Sequence, residues 1–331
     1  MFKAQQWNSM IWLNWWYKVT HTRNGDTRIP RAKVFQHNLD IFKDGAYRTE
    51  SDRVVCIPVY GKAVTDAVIF SGPISLPEIA TANDVHSAET TVSVVNDDCV
   101  CAAMSLAADG LNPAILNMAS LYHPGGGVID GSGAQEESLC RRSNLAVSLY
   151  QFSIPGGRHG DLAQMVGVKR REGPGYPMDE RFGGIYSPDV CFFRNTEEYG
   201  YALLEEPFHA SVISVAAINY NPRHGRSSLI DGRIPESDAQ LIRDKIRTIL
   251  NIGIIKGHDS LVLGAFGCGA FCTPPDQMAR LFHEVLAEEC FRHRFSRIVF
   301  AVLDDPNAIR TSNPRGNFAP FREELDGLVI S

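Results

Sequence analysis

The chain has 331 residues, 44% of them hydrophobic, and a formal net charge of −6. That length and apolar content allow a large buried core, as one generous domain or two small ones, and exclude a chain that is mainly disordered. The negative balance excludes a protein that holds nucleic acid through a broad basic surface, because such binding draws on many Lys and Arg contacts to phosphate. An anionic ligand would have to be gripped locally, for example by backbone amides at a helix N-terminus.

The N-terminal stretch holds all four tryptophans, Trp7, Trp12, Trp15 and Trp16. Its longest apolar run, Met10 to Tyr17, is broken by Asn14 and too short to cross a bilayer. It lacks the continuous apolar region and small-residue cleavage site of a secretory signal. With only Lys3 and Lys18 as flanking cations, the stretch reads as an aromatic helix packed on the protein rather than a membrane-surface anchor. No linker or repeat demands a further division, so residues 1–30 are expected as an aromatic segment ahead of a single domain, 31–331.

From about residue 90 short β-branched runs alternate with amphipathic helical stretches, the pattern of a layered α/β domain. Thr91 to Val95 predicts a strand, Asn96-Asp97-Asp98 a cap, and Val100 to Ala108 a helix stopped by Gly110. Pro113 to Met118 is the next strand, followed by Gly125-Gly126-Gly127 and a helical pattern from Glu136 to Leu149. Residues 150–185, rich in Gly, Pro, Arg and Met, read as a long ordered excursion, with a mobile lid as the sharper alternative. Val212 to Ile218 predicts a buried strand, and the helix after Pro235 aligns Ile242, Ile246, Ile249 and Leu250 on one face and ends at Gly253. Leu261 to Leu263 runs into a second glycine loop, Gly264 to Phe271; Pro274 opens a helix through Leu286, and Ile298 to Leu303 closes the sheet. Strands feeding loops at their C-terminal ends put both glycine loops on a common rim, where such sheets bind ligands.

The eight cysteines, at 56, 99, 101, 140, 191, 268, 272 and 290, show no CxxC pair and no secretory signal accompanies them. Reduced thiols in a soluble cytoplasmic protein are the expectation. Cys268 and Cys272 lack a second pair to complete a zinc site and read as buried apolar cysteines; no metal and no cofactor are expected.

Three consecutive glycines let backbone approach a ligand closely and adopt positive φ, with a following helix offering amides to an anion such as a pyrophosphate; an ordinary flexible turn would look the same. The companion Gln135-Glu136-Glu137 raises the odds. Two acids in a first helical turn can simply complement the helix dipole, in which case they sit in solvent. Alternatively, a carboxyl held beside another carboxylate and a diphosphate keeps a proton more readily and suits general-acid chemistry. Arg141-Arg142 reads as a solvated helix face, with a phosphate contact as the second choice. His123 reads as a rim residue, and Asn219 is a weak site candidate that turn chemistry explains equally well.

The run Asn117-Met118-Ala119-Ser120…His123-Pro124-Gly125-Gly126-Gly127, followed by Gln135-Glu136-Glu137-Ser138-Leu139-Cys140-Arg141-Arg142-Ser143, resembles the signature of bacterial-type poly(ADP-ribose) glycohydrolases of the macrodomain superfamily. The loop Gly264 to Phe271, the segment Tyr186 to Val190 and the strand Val299 to Val302 are similar to parts of the same family, and the likeness spans roughly residues 32–325. It implies a three-layer α/β/α macrodomain-like fold with a mixed central sheet. It implies that Glu137 is the catalytic acid, that Glu136 holds ribose hydroxyls, and that Asn117 fixes the distal ribose. It further implies that Gly125, Gly126 and Gly127 line the scissile ribose and diphosphate, that Gln135 belongs to the substrate-binding set, that Gly267, Cys268, Gly269, Ala270 and Phe271 form the diphosphate loop with Phe271 packed on that ribose, and that Asp97 or Asp98 receives the adenine amino group. The implied reaction is cleavage of ribose–ribose bonds in poly(ADP-ribose), with ADP-ribosylated proteins as partners and a role in reversing that modification, linked to the DNA damage response. A macrodomain that binds ADP-ribose without cutting it, and a hydrolase of single ADP-ribose groups, are the alternatives.

Overall fold

A computed structural model describes residues 5–77, 89–225, 227–304, 308–309 and 313–331. Lys3 of the N-terminal flank lies outside them. The backbone divides into two compact units interleaved along the chain. The first comprises residues up to Ile69, Ala119–Met178 and Ile185–Val212; the second comprises Phe70–Met118, Asp179–Gly184 and Ile213–Ser331.

In chain order the elements are β1 (Gln5–Gln6), α1 (Ser9–Thr20), α2 (Arg28–Asp44), β2 (Ala46–Arg48), β3 (Val54–Cys56), α3 (Lys62–Thr65) and β4 (Val68–Phe70). There follow β5 (Thr90–Val95), α4 (Cys99–Ala108), β6 (Pro113–Ala119), α5 (Gln135–Arg142), α6 (Leu145–Tyr150) and α7 (Leu162–Met165). The chain ends through β7 (Gly184–Arg194), β8 (Leu203–Ala216), α8 (Glu236–Ile255), β9 (Ser260–Leu263), α9 (Pro275–Leu286), β10 (Arg297–Ala301), α10 (Phe318–Leu325) and β11 (Val329–Ile330).

The larger sheet has the strand order β11-β5-β10-β9-β6-β8-β7-β4. Strands β5, β10, β9 and β6 pair in parallel, whereas β11 pairs antiparallel with β5, so the sheet is mixed and the fold is of the expected macrodomain-like α/β class. In the second unit the near-continuous apolar strands β9 and β10 are buried, as parallel strands covered by helices must be. Helix α4 packs on β9 and β10, α10 on β5, and α9 between α8 and α10. Phe282 of α9 meets Phe300 of β10 edge-on at 5.0 Å and Phe321 of α10 at 6.4 Å. The Asp98 carboxylate caps α4, accepting from the amides of Val100 and Cys101.

In the first unit Trp12, Trp15 and Trp16 lie on α1, and Trp7 precedes it. Trp12 is buried with Val34 of α2 and Tyr201, and Trp7, Leu13, Trp15 and Trp16 pack around them. Trp12 stacks on Trp16, meets Tyr201 edge-on, and donates its indole N–H to the Pro30 carbonyl at 2.9 Å.

Four expectations from the sequence need correction. The helix expected over Glu136–Leu149 is two, because Ser143 is fully extended between them. Ser143 pairs with Phe192 of β7, the Asn144 amide donates to the Cys191 carbonyl, and the Asn144 side chain accepts from the Cys191 amide, so sheet bonds displace helical ones. Gly253 does not end α8 but sits inside it: a β-carbon there would lie 3.0 Å from Leu261 and 3.4 Å from Phe295, so the missing side chain allows close packing. The helix stops instead before Gly257, whose φ is +74°. Strand β8 starts well before Val212, where Glu205, Glu206 and His209 face solvent and hide the apolar pattern. Finally, β10 lies inside the sheet, with β11 at its edge beyond β5.

Arg194 of β7 is fully buried, and burial pushes its guanidinium down to about 9. It donates to Asn38 Oδ1 at 2.7 Å, to the Tyr201 carbonyl at 2.9 Å and to His37 Nδ1 at 2.6 Å, with the Trp7 ring 4.7 Å away. A guanidinium only donates, so the His37 ring is neutral, with its proton on Nε2 directed at the Gln6 carbonyl. Burial, then the Arg194 charge, push His37 down from 6.5 to about 3. The folded state therefore resists a proton that the unfolded state accepts below 6.5, and stability is lost as pH falls from 6.5 toward 3. The slope from this group is at most about 1.4 kcal/mol per pH unit. We predict that His37→Gln, which keeps an acceptor but cannot titrate, shows a shallower fall of Tm between these limits; parallel curves would refute the assignment.

Candidate active site

The carboxylate pair lies in the first unit, where β6 gives way to a turn. Ser120 Oγ accepts from the amides of Tyr122 and His123, and the His123 carbonyl accepts from Gly126, closing a tight loop. Gly125 and Gly126 take φ of +73° and +59°, which L side chains rarely adopt. The loop continues with Asp130 and Ser132 donating to the Gly127 carbonyl, and Gln135 then starts α5.

Glu136 and Glu137 are not in solvent as dipole-complementing acids would be; they are 3% and 7% exposed. Glu136 Oε2 accepts from the Ser120 amide at 2.7 Å and Oε1 from the Gly125 amide at 3.1 Å. Glu137 Oε1 accepts from the Gly127 amide at 2.8 Å, while its Oε2 is buried without a hydrogen-bond partner. The sequence offered the amides of the following helix to an external anion and left those of the glycines unassigned. The amides of Gly125, Gly126 and Gly127 are committed to Glu136, the His123 carbonyl and Glu137. The anions held by the loop are the protein's own.

Neutral groups surround the pair. Cys140, Tyr150 and Tyr176 are buried, and burial pushes all three well above their usual ranges, with the Glu136 carboxylate adding to each. Their protons stay on. The hydroxyls of Tyr150 and Tyr176 are buried without hydrogen-bond partners, and the Tyr150 hydroxyl comes within 3.5 Å of where a Gly125 β-carbon would stand. Tyr176 belongs to the Gly- and Pro-rich excursion, which is tied down as an ordered segment. Its amide donates to the Phe152 carbonyl, Met178 donates to the Leu121 carbonyl, and His159 Nε2 lies 3.2 Å from Asp130 of the glycine loop.

Arg141 and Arg142 correct another expectation: they are 1% and 3% exposed, not a solvated face. Arg141 donates to the Ser132 carbonyl at 2.6 Å and to the Tyr201 hydroxyl at 2.9 Å, and Arg142 Nε points at the Arg194 carbonyl. A buried guanidinium needs such acceptors, and two loops supply them. His123 is exposed, as expected of a rim residue.

The remaining candidates lie in the second unit. Asn117 of β6 is fully buried and donates its side-chain amide to Ser214 Oγ at 2.9 Å. Asp98 caps α4, whereas Asp97 is exposed and accepts from the Asp98 amide. Gly267 is left-handed, and a β-carbon there would lie 2.6 Å from Thr273 Oγ1 and 2.9 Å from Ala217. Cys268 is buried and Cys272 half-buried. The Phe271 and Ala270 carbonyls accept from the Tyr220 amide and the Asn221 side chain, pinning the loop. Asn219 turns its carboxamide oxygen to the Asn221 amide, the turn role anticipated for it.

The catalytic domain of microbial-type poly(ADP-ribose) glycohydrolase (PARG) matches residues 36–195. The structure is similar to that of Thermomonospora curvata poly(ADP-ribose) glycohydrolase bound to the inhibitor ADP-HPD, with 30% identity, a TM-score of 0.66, and coverage of 88% of this chain and 98% of that one. It is also similar to Deinococcus radiodurans poly(ADP-ribose) glycohydrolase in complex with ADP-ribose, with 28% identity, a TM-score of 0.58, and coverage of 82% and 98%. No curated protein matches.

The Gly126 position gives a direct test of the carboxylate arrangement. A β-carbon there would lie 2.4 Å from Glu137 Oε1 and 3.0 Å from Glu136 Oε2, in a left-handed backbone. We predict that Gly126→Ala displaces both carboxylates, lowers stability by about 1–3 kcal/mol and abolishes turnover. Gly72→Ala, where nothing lies within 4 Å, should leave both unchanged. Thermal melts and turnover assays of the two variants decide the matter; an active Gly126→Ala protein would contradict the geometry.

Proposed function

The chain belongs to the microbial-type poly(ADP-ribose) glycohydrolases, and from that premise we propose that Glu137 is the general acid of its reaction. The protein is a glycosidase that hydrolyses the ribose–ribose O-glycosidic bonds of poly(ADP-ribose) and releases ADP-ribose. The observation that carries the assignment is the state of the Glu137 carboxyl: one oxygen is fixed by the Gly127 amide and the other is buried with no partner. A buried oxygen without a partner costs on the order of 1–3 kcal/mol and calls for a proton or a ligand hydroxyl.

Glu137 Oε2 delivers its proton to the leaving ribose oxygen as the bond to the anomeric carbon breaks. The substrate diphosphate stabilises the oxocarbenium-like transition state, and water then attacks the anomeric carbon, giving up a proton that restores the acid form of Glu137. Glu136 uses its remaining lone pairs for ribose hydroxyls, since its oxygens are already oriented by the Ser120 and Gly125 amides. Gly125–Gly127 and Gln135 line the ribose and diphosphate. Asn117 for the distal ribose, Asp97 or Asp98 for adenine, and Gly267–Phe271 for the diphosphate are proposed on the likeness of their motifs.

A reader that only binds ADP-ribose gains nothing from a buried carboxylate pair, which has to be solvated by backbone to exist at all. Residues 31–331 are proposed as one catalytic domain behind the aromatic segment 1–30, because neither compact unit is contiguous in sequence. The eight cysteines are free thiols, which supports a reducing, cytoplasmic setting. Among the described residues no helix is long and apolar enough to cross a membrane.

Replacing Glu137 by Gln removes the transferable proton without changing shape. We expect release of ADP-ribose from labelled polymer to fall by roughly 10²–10⁴-fold, with ADP-ribose affinity by calorimetry nearly unchanged. A Glu137→Gln protein that degrades polymer at the wild-type rate would remove Glu137 from the reaction, and a wild-type protein that binds ADP-ribose but releases none would favour the reader.

A further inference from the structure

We propose that Arg31, at the start of α2, is a positioning residue for Glu137, acting through the glycine loop; this rests on the reading of Glu137 as the acid. Arg31 grips Glu197 with two hydrogen bonds, Nε to Oε2 at 2.7 Å and Nη2 to Oε1 at 2.8 Å. Its guanidinium lies 4.8 Å from the Trp16 ring centroid of α1. The same guanidinium rests on the loop that leads into the catalytic helix: Arg31 Nη1 is only 2.3 Å from where a Gly133 β-carbon would stand. At Gly131, whose φ is +75°, the ideal β-carbon position falls 1.9 Å from the Arg28 carbonyl oxygen. The beginning of α2 and the loop 131–133 are therefore in direct backbone contact.

A second path closes on the same loop. Glu197 also accepts from the Tyr201 hydroxyl at 3.0 Å, that hydroxyl accepts from Arg141 Nε at 2.9 Å, and Arg141 Nη1 donates to the Ser132 carbonyl at 2.6 Å. Ser132 in turn donates to the Gly127 carbonyl, and the other face of that residue, its N–H, holds Glu137 Oε1. Arg31 thus braces residue 133 directly and residue 132 through Glu197, Tyr201 and Arg141. The first connection ends on Gly133; the second reaches, through Ser132, the carbonyl of Gly127, the residue whose N–H orients the acid. The tryptophan-rich N-terminal segment supplies the ring that backs Arg31 and the buried Trp12 that packs edge-on against Tyr201. Arg31, Glu197 and Tyr201 all fall outside residues 36–195, the interval shared with the family's catalytic domain.

The network is rigid where it must be, since Arg141 and Tyr201 are buried and Arg31 and Glu197 are largely covered. A bidentate Arg–carboxylate pair fixes orientation as well as distance, which a lysine cannot reproduce. Small displacements of a reacting group reduce rate steeply while substrate binding is spared, so the signature of this role is a loss in kcat without a matching change in KM.

The test compares wild type with Arg31→Ala, Arg31→Lys, Gly133→Ala, Glu137→Gln and, as a control for loss of a surface ion pair in the same unit, Arg48→Ala. Gly133→Ala leaves the charge of Arg31 in place but pushes the guanidinium off the loop. Labelled polymer is the substrate, at a temperature below every variant's Tm. Arg31→Ala and Gly133→Ala are expected to lose roughly ten- to hundredfold in kcat with KM nearly constant, Arg31→Lys to recover part of the loss, and Arg48→Ala to match wild type. The inference is overturned if Arg31→Ala keeps the wild-type kcat, or if its only change is a lower Tm, while wild type is active and Glu137→Gln is not. If wild type itself releases no ADP-ribose, or Glu137→Gln is fully active, it is the reading of Glu137 that fails.

Discussion

Two carboxyl groups buried side by side in one helical turn lose their water, and each that ionises there costs several kcal/mol. What makes the pair tolerable is a set of three backbone N–H groups, from Ser120, Gly125 and Gly127, each donating to a carboxylate oxygen. Bonds of this charge-assisted kind contribute about 1.5–3 kcal/mol each, and the N-terminus of α5 adds its dipole in the same sense. Glycine at position 126 lets the loop come so close, because the space a side chain there would fill is occupied by both carboxylates. The identity of the loop, the burial of the acids and the single unpartnered oxygen of Glu137 are consequences of one arrangement. Cys140, Tyr150 and Tyr176, which burial keeps in their protonated forms, complete it.

Much of the architecture was legible because local signals agreed with the fold. The parallel strands β5, β6 and β9 appear as short β-branched or apolar runs, the Asp98 cap starts α4 where the sequence suggested, and Pro274 precedes α9. Several of the failures share a cause: residues whose local preference is overridden by a partner distant in sequence. Ser143 and Asn144 would continue a helix but are captured by β7, and Gly253 would end one but is needed for close packing against Leu261 and Phe295. Arg141 and Arg142 look solvated until Ser132, Tyr201 and Arg194 supply acceptors.

The candidate site shows the same division. Glu136, Glu137 and the three glycines could be picked out because they lie within one short stretch and their chemistry is unusual for a turn. That the glycine amides serve the glutamates rather than an incoming anion was invisible, since hydrogen-bond direction leaves no mark on composition. Tyr150 reads as an ordinary core residue in an apolar helix, and Tyr176 is hidden in a Gly- and Pro-rich excursion. Nothing in the sequence links either to Glu136; only burial in three dimensions does.

The bonds around Glu137 fall on two scales of separation along the chain. Those that hold the carboxylates join residues 10, 11 and 16 positions apart, whereas the Arg31–Glu197 pair spans 166. Bringing chain ends together costs about 0.6 kcal/mol more for each doubling of the loop, so the distant pair carries roughly 2 kcal/mol of extra closure entropy. The nest that holds the acids is in this sense a local motif that a short peptide segment encodes almost alone. Its brace is a property of the whole chain, present only when the N-terminal helices and the stretch beyond β7 have both found their places.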